Sequence, residues 1–139
     1  MDSSFKLEII TPSKIYMKDD VEQMSVTTST GEITILPHHA DMIADVVICP
    51  LRLRINSHEL IYAISGGTLN ISQKENLVFL YVYAIESHEE IDIDRAELAK
   101  EKAQELLSNA DSARMMNRAE IKMKRALNRI KVKNLTQIG

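Results

Sequence analysis

The stretch Ile91-Asp92-Ile93-Asp94-Arg95-Ala96-Glu97-Leu98-Ala99, continuing through Ala103, Leu106 and Ala110, decides how this chain is built. Ala96, Ala99, Ala103, Leu106 and Ala110 recur at intervals of three and four, which is one face of an α-helix. Asp92 stands where it caps the start, and Asp94 falls where the first-turn dipole favours an acid. Alanines on that face let a second helix approach closely. Ser108-Asn109-Ala110-Asp111-Ser112 supplies a short connection and a fresh N-cap, and the next run carries Met116, Ala119, Met123, Ala126, Leu127 and Ile130 at the same period. Two helices joined by so short a link pack as an antiparallel hairpin.

The two helices differ in charge. From Glu89 to Asp111 eight acidic residues face three basic ones, whereas from Ser112 to Gly139 eight basic residues face Glu120 alone. At about 100° per residue, Arg114, Arg118, Lys122, Arg125 and Arg129 share an arc of about 80° opposite the apolar seam. Such a stripe is either a solvated face or an anion-recognition surface, since the planar guanidinium suits phosphate and carboxylate oxygens. No aromatic residue interleaves with it, which argues against nucleic acid.

Working back from the hairpin, the composition changes. All three prolines (Pro12, Pro37, Pro50), and every glycine but Gly139, lie at or before Gly67. Short runs there alternate with strand period: Phe5–Ile9, Gln23–Thr27, Glu32–Ile35, Leu51–Ile55, Leu69–Ser72 and Leu77–Tyr83. Turn signals separate them at Thr30-Gly31, Pro37-His38-His39, Asn56-Ser57-His58, Gly66-Gly67 and Lys74-Glu75-Asn76. The chain therefore reads as an all-β domain over 1–86 and a helical domain over 87–139.

Several functions are disfavoured by composition. Apolar content of 45% with 27% charged residues is globular, and the net charge is −3. Cys49 is the single cysteine, so no internal disulfide forms, and it reads as an inert buried thiol in a reducing compartment. The absence of an apolar run of about 20 residues and of a signal-peptide pattern predicts a soluble, intracellular protein that meets membrane only through a partner. His38, His39, Asp41 and Asp45 lack metal-ligand spacing, and neither a phosphate loop nor a nucleophile elbow accompanies Ser65-Gly66-Gly67. The expectation is a protein with no catalytic residues and no obligatory cofactor.

Three segments, in order, resemble the epsilon subunit of the F-type ATP synthase: Gly31-Glu32-Ile33-Thr34-Ile35-Leu36-Pro37-His38-His39-Ala40, Ile64-Ser65-Gly66-Gly67, and Ile91 to Ala99. The resemblance covers nearly the whole chain. It implies a ten-stranded β-sandwich followed by a two-helix hairpin, in a central-stalk (rotor) subunit at the cytoplasmic face of the inner membrane. Implied partners are the gamma subunit and the c-ring, with Glu32 and His39 as rotor-interface residues. When the hairpin extends, its basic face would meet the alpha and beta subunits of the catalytic head and inhibit ATP hydrolysis.

The same resemblance implies ATP as a regulatory ligand of the folded hairpin. Glu86, Ile91, Asp92, Arg95, Ala96, Arg125 and Arg129 match that family's nucleotide site, and Lys102 offers a further basic contact. His38 stands where the family has glycine, and Thr68 where it often has an aromatic or aliphatic residue. A reading of a different class also fits: a free-standing β-sandwich adaptor whose helical tail binds an acidic protein.

Overall fold

The computed structural model describes residues 3–135. Its strands are β1 (Phe5–Ile10), β2 (Ile15–Val21), β3 (Gln23–Thr28), β4 (Gly31–Ile35), β5 (Met42–Ile55), β6 (His58–Ser72), β7 (Leu77–Val82) and β8 (Ile85–Ser87). Helices α1 (Ile93–Ser108) and α2 (Ala113–Asn134) follow. The strands pair in the order β2-β1-β7-β6-β5-β3-β4, with β8 on β6. All pairs are antiparallel except β1 with β7.

The described residues form eight strands rather than the expected ten. The difference lies in β5 and β6, of 14 and 15 residues, which run as one hairpin in register from Met42↔Ile71 to Ile55↔His58. Asn56 and Ser57 close it with φ of 51° and 65°, the paired positive angles that match strand twist. β5 keeps β3 as its other partner near both ends, whereas β6 changes partner along its length. The first half of β6 pairs with β8 at Tyr62–Ile64, and its second half pairs with β7 from Gly67 to Ser72. Counting the halves separately would restore ten.

Gly66-Gly67 lies at this changeover inside β6, so it is not the turn between strands that the sequence suggests. Gly66 has φ +92°, which a side chain rarely adopts, and a Cβ on Gly67 would sit 1.7 Å from the Tyr81 carbonyl oxygen. Only glycine allows both the bend and the approach of β7.

Alternation along the strands sends Leu7, Ile9, Met24, Leu51, Leu53, Ile64, Leu69 and Leu80 into one fully enclosed core. A smaller cluster of Ile61, Ala63, Ile91 and Val132 joins the outside of the sandwich to the hairpin. Burying side chains of this size is worth about 1.5–3 kcal/mol for each large aliphatic group. The helices meet through alanines, with Ala96 and Ala103 of α1 and Ala119 and Ala126 of α2 all enclosed. Met116 and Leu127, expected on the α2 seam, are about half exposed, because Asn128 and Val132 take the face turned to the sandwich.

Candidate functional site

The Asp92 cap forms as its sequence position suggests: the extended residue accepts from Asp94 N at 3.0 Å and Arg95 N at 3.2 Å through Oδ1. Ser112 caps α2 by accepting from Met115 N at 3.2 Å. These caps fix where each helix starts, and so where the arginine stripe begins.

The expected nucleotide residues fall into two groups. Glu86 projects from β8 opposite Ala63 and meets Arg129 of α2, with Nε to Oε1 at 2.7 Å and a hydrogen bond from Nη2 to Oε2 at 3.3 Å. Arg125 joins them in lining a cleft with Ile48, Ser65 and Asn128. Its volume is about 30 Å³, room for a water molecule, whereas ligand pockets run to about 300 Å³ or more. The second group lies at the α1 start and does not line this cleft. Ile91 and Ala96 are buried in packing, the Asp92 carboxylate is engaged as a cap, and Arg95 and Lys102 are exposed.

Along the stripe, Arg114, Arg118, Lys122 and Arg125 face solvent, and only Arg129 is partly enclosed. The ion pairs among the described residues do not engage those four exposed cations. On the sandwich, Glu32 is exposed on the edge strand β4, in register with Thr27. His39 directs Nδ1 at the Ala40 carbonyl 2.8 Å away and donates from its backbone N to Leu36 O. His38 adopts φ +62°, the left-handed angle that explains the family's glycine there. Asn76 Oδ1 accepts from its backbone N at 2.8 Å and Gln73 Nε2 donates to its carbonyl at 3.0 Å, so the loop keeps that geometry with histidine in place.

Sequence reasoning missed two features. Asn128, one of two buried polar residues among those described, donates from Nδ2 to the main-chain oxygens of Cys49 (2.9 Å) and Ile64 (3.3 Å), keying α2 onto β5 and β6. Its signal was a short amide on the flank of an otherwise apolar and basic helix. The second is an outward apolar row on the sandwich, in which Ile43, Tyr81 and Tyr83 are exposed and Phe79 stacks on Tyr81 with centroids 6.2 Å apart. Between Tyr81, Tyr83, Ile10 and Thr68 opens a largely apolar hollow of about 330 Å³. The Cys49 thiol is pushed up by burial, which suits an inert core residue.

A β-sandwich that hands its last short strand to an α-helical hairpin keyed back onto its own outer face is a two-part architecture, and each part has its counterpart among known proteins. Residues 4–82 match the family model described as ATP synthase, Delta/Epsilon chain, beta-sandwich domain, and residues 89–134 match ATP synthase, Delta/Epsilon chain, long alpha-helix domain. The chain belongs to the ATP synthase delta/epsilon chain family.

Among relatives in that family, the chain is 37% identical over 130 residues to the ATP synthase epsilon chain of Ruminococcus albus, covering 94% of this chain and 96% of that one. It is 35% identical over 127 residues to the ATP synthase epsilon chain of Bacillus pumilus, covering 91% and 95%. Its fold matches a chain in the Euglena gracilis mitochondrial ATP synthase structure (OSCP/F1/c-ring) with TM-score 0.81 at 18% identity, covering 92% of this chain and 80% of that one. A second match, in the Tetrahymena thermophila mitochondrial ATP synthase central stalk and c-ring, has TM-score 0.70 at 15% identity, covering 93% and 96%. Among the described residues no helix is long and apolar enough to cross a membrane.

Proposed function

We propose that this chain is a non-catalytic central-stalk subunit of an F-type ATP synthase, and that its hairpin is a releasable regulatory arm. The observation that carries this reading is the placement of the contacts between hairpin and sandwich. They gather on the C-terminal part of α2, at Asn128, Arg129 and Val132, while the basic stripe from Arg114 to Arg125 stays in water. An arm attached at one end, with free cations towards the other, suits an acidic partner surface when extended. That surface would belong to the alpha and beta subunits of the catalytic head.

The outward apolar row with Ile43, Tyr81 and Tyr83 supports docking of the sandwich on the gamma subunit, and exposed Glu32 and the His39 loop support contact with the c-ring. Attachment at the cytoplasmic face of the inner membrane then follows through these partners. Retention of gamma and c-ring on affinity-tagged chain purified from membranes tests the rotor role; clean recovery of the chain alone rejects it.

ATP acts in this reading as a ligand of the docked hairpin. The Glu86–Arg129 pair fills the cleft, so nucleotide entry requires that pair to part, freeing Arg125 and Arg129 for phosphates and Glu86 for hydrogen-bond donors of the ligand. ATP favours the docked form only by its differential affinity for it. Saturation at 100 times Kd would stabilise by about 2.7 kcal/mol. Millimolar ATP is expected to raise the melting temperature, and Arg125→Ala with Arg129→Ala to abolish the rise. No rise in the native chain rejects the nucleotide part and leaves the rotor role standing.

A further inference from the structure

The segment that joins sandwich to hairpin is pinned rather than slack. His88 N donates to Ile61 O at 2.9 Å, extending the β8 ladder by one bond. Ser87 and Glu90 bond reciprocally: Glu90 Oε1 accepts from Ser87 N at 3.0 Å, and Glu90 N donates to Ser87 O at 3.1 Å. The same Oε1 accepts from Tyr16 OH at 3.0 Å, which fastens the segment to β2, and the Tyr16 ring stands edge-on to Tyr62 with centroids 6.2 Å apart. Ile91 N donates to Ser87 O at 3.2 Å, and the Ile91 side chain is buried against Ile61 and Ala63. The first residue beyond this set is Asp92, whose extended backbone (φ −93°, ψ 111°) carries no bond back to the sandwich among the described residues; its bonds go to the first turn of α1.

A second group of contacts crosses from this segment to the far end of the hairpin. His88 Nε2 lies 2.9 Å from Leu135 O, and because a carbonyl only accepts, Nε2 carries the proton. Lys133 Nζ donates to His88 O at 2.9 Å. Both engage the C-terminal end of α2: Leu135 is its C-cap, where carbonyls have no helical partner and need an outside donor, and Lys133 lies in its last turn. His88 thus faces both ways, its backbone N held by β6 and its ring and carbonyl holding α2.

We propose that residues 87–91 stay with the sandwich when the hairpin leaves, that the hairpin pivots at Asp92, and that its release requires the His88 clasp on the C-terminal end of α2 to open. This rests on the reading of the hairpin as a releasable arm. Freeing α2 breaks the bond to Leu135 O and the Lys133 bond, together with the Asn128 key and the Glu86–Arg129 pair. The bonds from Ser87, His88, Glu90 and Ile91 within the segment and to the sandwich need not change.

Native-state hydrogen exchange on the full chain, read by mass spectrometry of short fragments, tests this. Amides of residues 127–135 are expected to exchange through an opening that leaves the amides of residues 88 and 91 protected. His88→Ala should speed exchange in 127–135 about fivefold, the equilibrium equivalent of one net hydrogen bond, with no change in the sandwich strands. His88→Gln, whose side-chain amide can donate to Leu135 O, should stay within about twofold of the native rate. Exchange of residues 88 and 91 at the same rate as α2 would overturn the pivot at Asp92, and an unchanged α2 rate in His88→Ala would overturn the clasp. If α2 exchanged only together with the core strands β5 and β6, the hairpin would not leave the sandwich by itself; that result sinks the releasable-arm reading, and the proposal with it.

Discussion

Replacing Asn128 with alanine should unfasten the hairpin while leaving the sandwich intact. Asn128 is 8% exposed and its Nδ2 serves two main-chain carbonyls on neighbouring long strands, at 2.9 and 3.3 Å. Alanine removes one good and one longer hydrogen bond, and leaves the Cys49 and Ile64 oxygens without this donor beneath a helix that shields them from water. At about 1 kcal/mol net for an ordinary bond and 1–3 kcal/mol for an acceptor left unsatisfied, docking should weaken by about 1.5–3 kcal/mol. The undocked population then rises between about tenfold and a hundredfold. Trypsin under native conditions reads this directly, because Lys122, Lys124, Arg125 and Arg129 lie on α2, and cleavage of a transiently open state follows its population when reclosing is fast. Asn128→Ala should be cut in α2 at least about tenfold faster, with the sandwich fragment surviving. Arg118→Ala, on the exposed stripe, should be cut at the native rate apart from the lost site. Native-like cleavage of Asn128→Ala would refute the idea that this amide keys the hairpin.

Two further consequences are open to direct measurement. Gly67→Ala would place a Cβ 1.7 Å from Tyr81 O and 2.7 Å from its carbonyl carbon, within a backbone pairing that cannot yield cheaply; a loss of about 3 kcal/mol or more is expected from urea denaturation, and a loss under about 1 kcal/mol would contradict that approach. The Glu90 carboxyl is held below the usual carboxylate range by the Ser87 backbone N–H first, then the Ser87 side chain and the Tyr16 hydroxyl. A depressed folded-state pKa gives stability that is present above the ordinary value of about 4.3 and is lost as pH falls through the folded pKa. Glu90→Gln should therefore melt with a shallower dependence on pH below about 4.5 than the native chain, and identical acid profiles would count against the Tyr16–Glu90–Ser87 link.

Much of the fold was legible because its signals are local. The Asp92 and Ser112 caps, the alanine spacing that brings α1 against α2, and the Asn56-Ser57 turn each depend on residues within a few positions of one another. Less legible were Ile15–Val21, whose Lys18-Asp19-Asp20 gives an edge strand no clean alternation, and the leading parts of β5 and β6, which run up to Pro50 and to Gly66-Gly67. A glycine pair reads locally as a turn; its use here is fixed by the approach of Tyr81, fourteen residues further on. The arginine stripe followed from spacing, yet its division into four exposed cations and one ion-paired Arg129 depended on where β8 delivers Glu86.

The sequence by itself determined the two-part architecture, both helix starts, the charge sorting of the hairpin and the family. Tertiary structure alone decided which residues of the expected nucleotide set stand together, gave Asn128 and His88 their roles, and reduced the cleft between Glu86 and Arg129 to the size of a water molecule. The reason is one of range: periodicity and caps act between neighbours along the chain, whereas Asn128 meets carbonyls 64 and 79 positions away, and only the folded sheet brings those partners together.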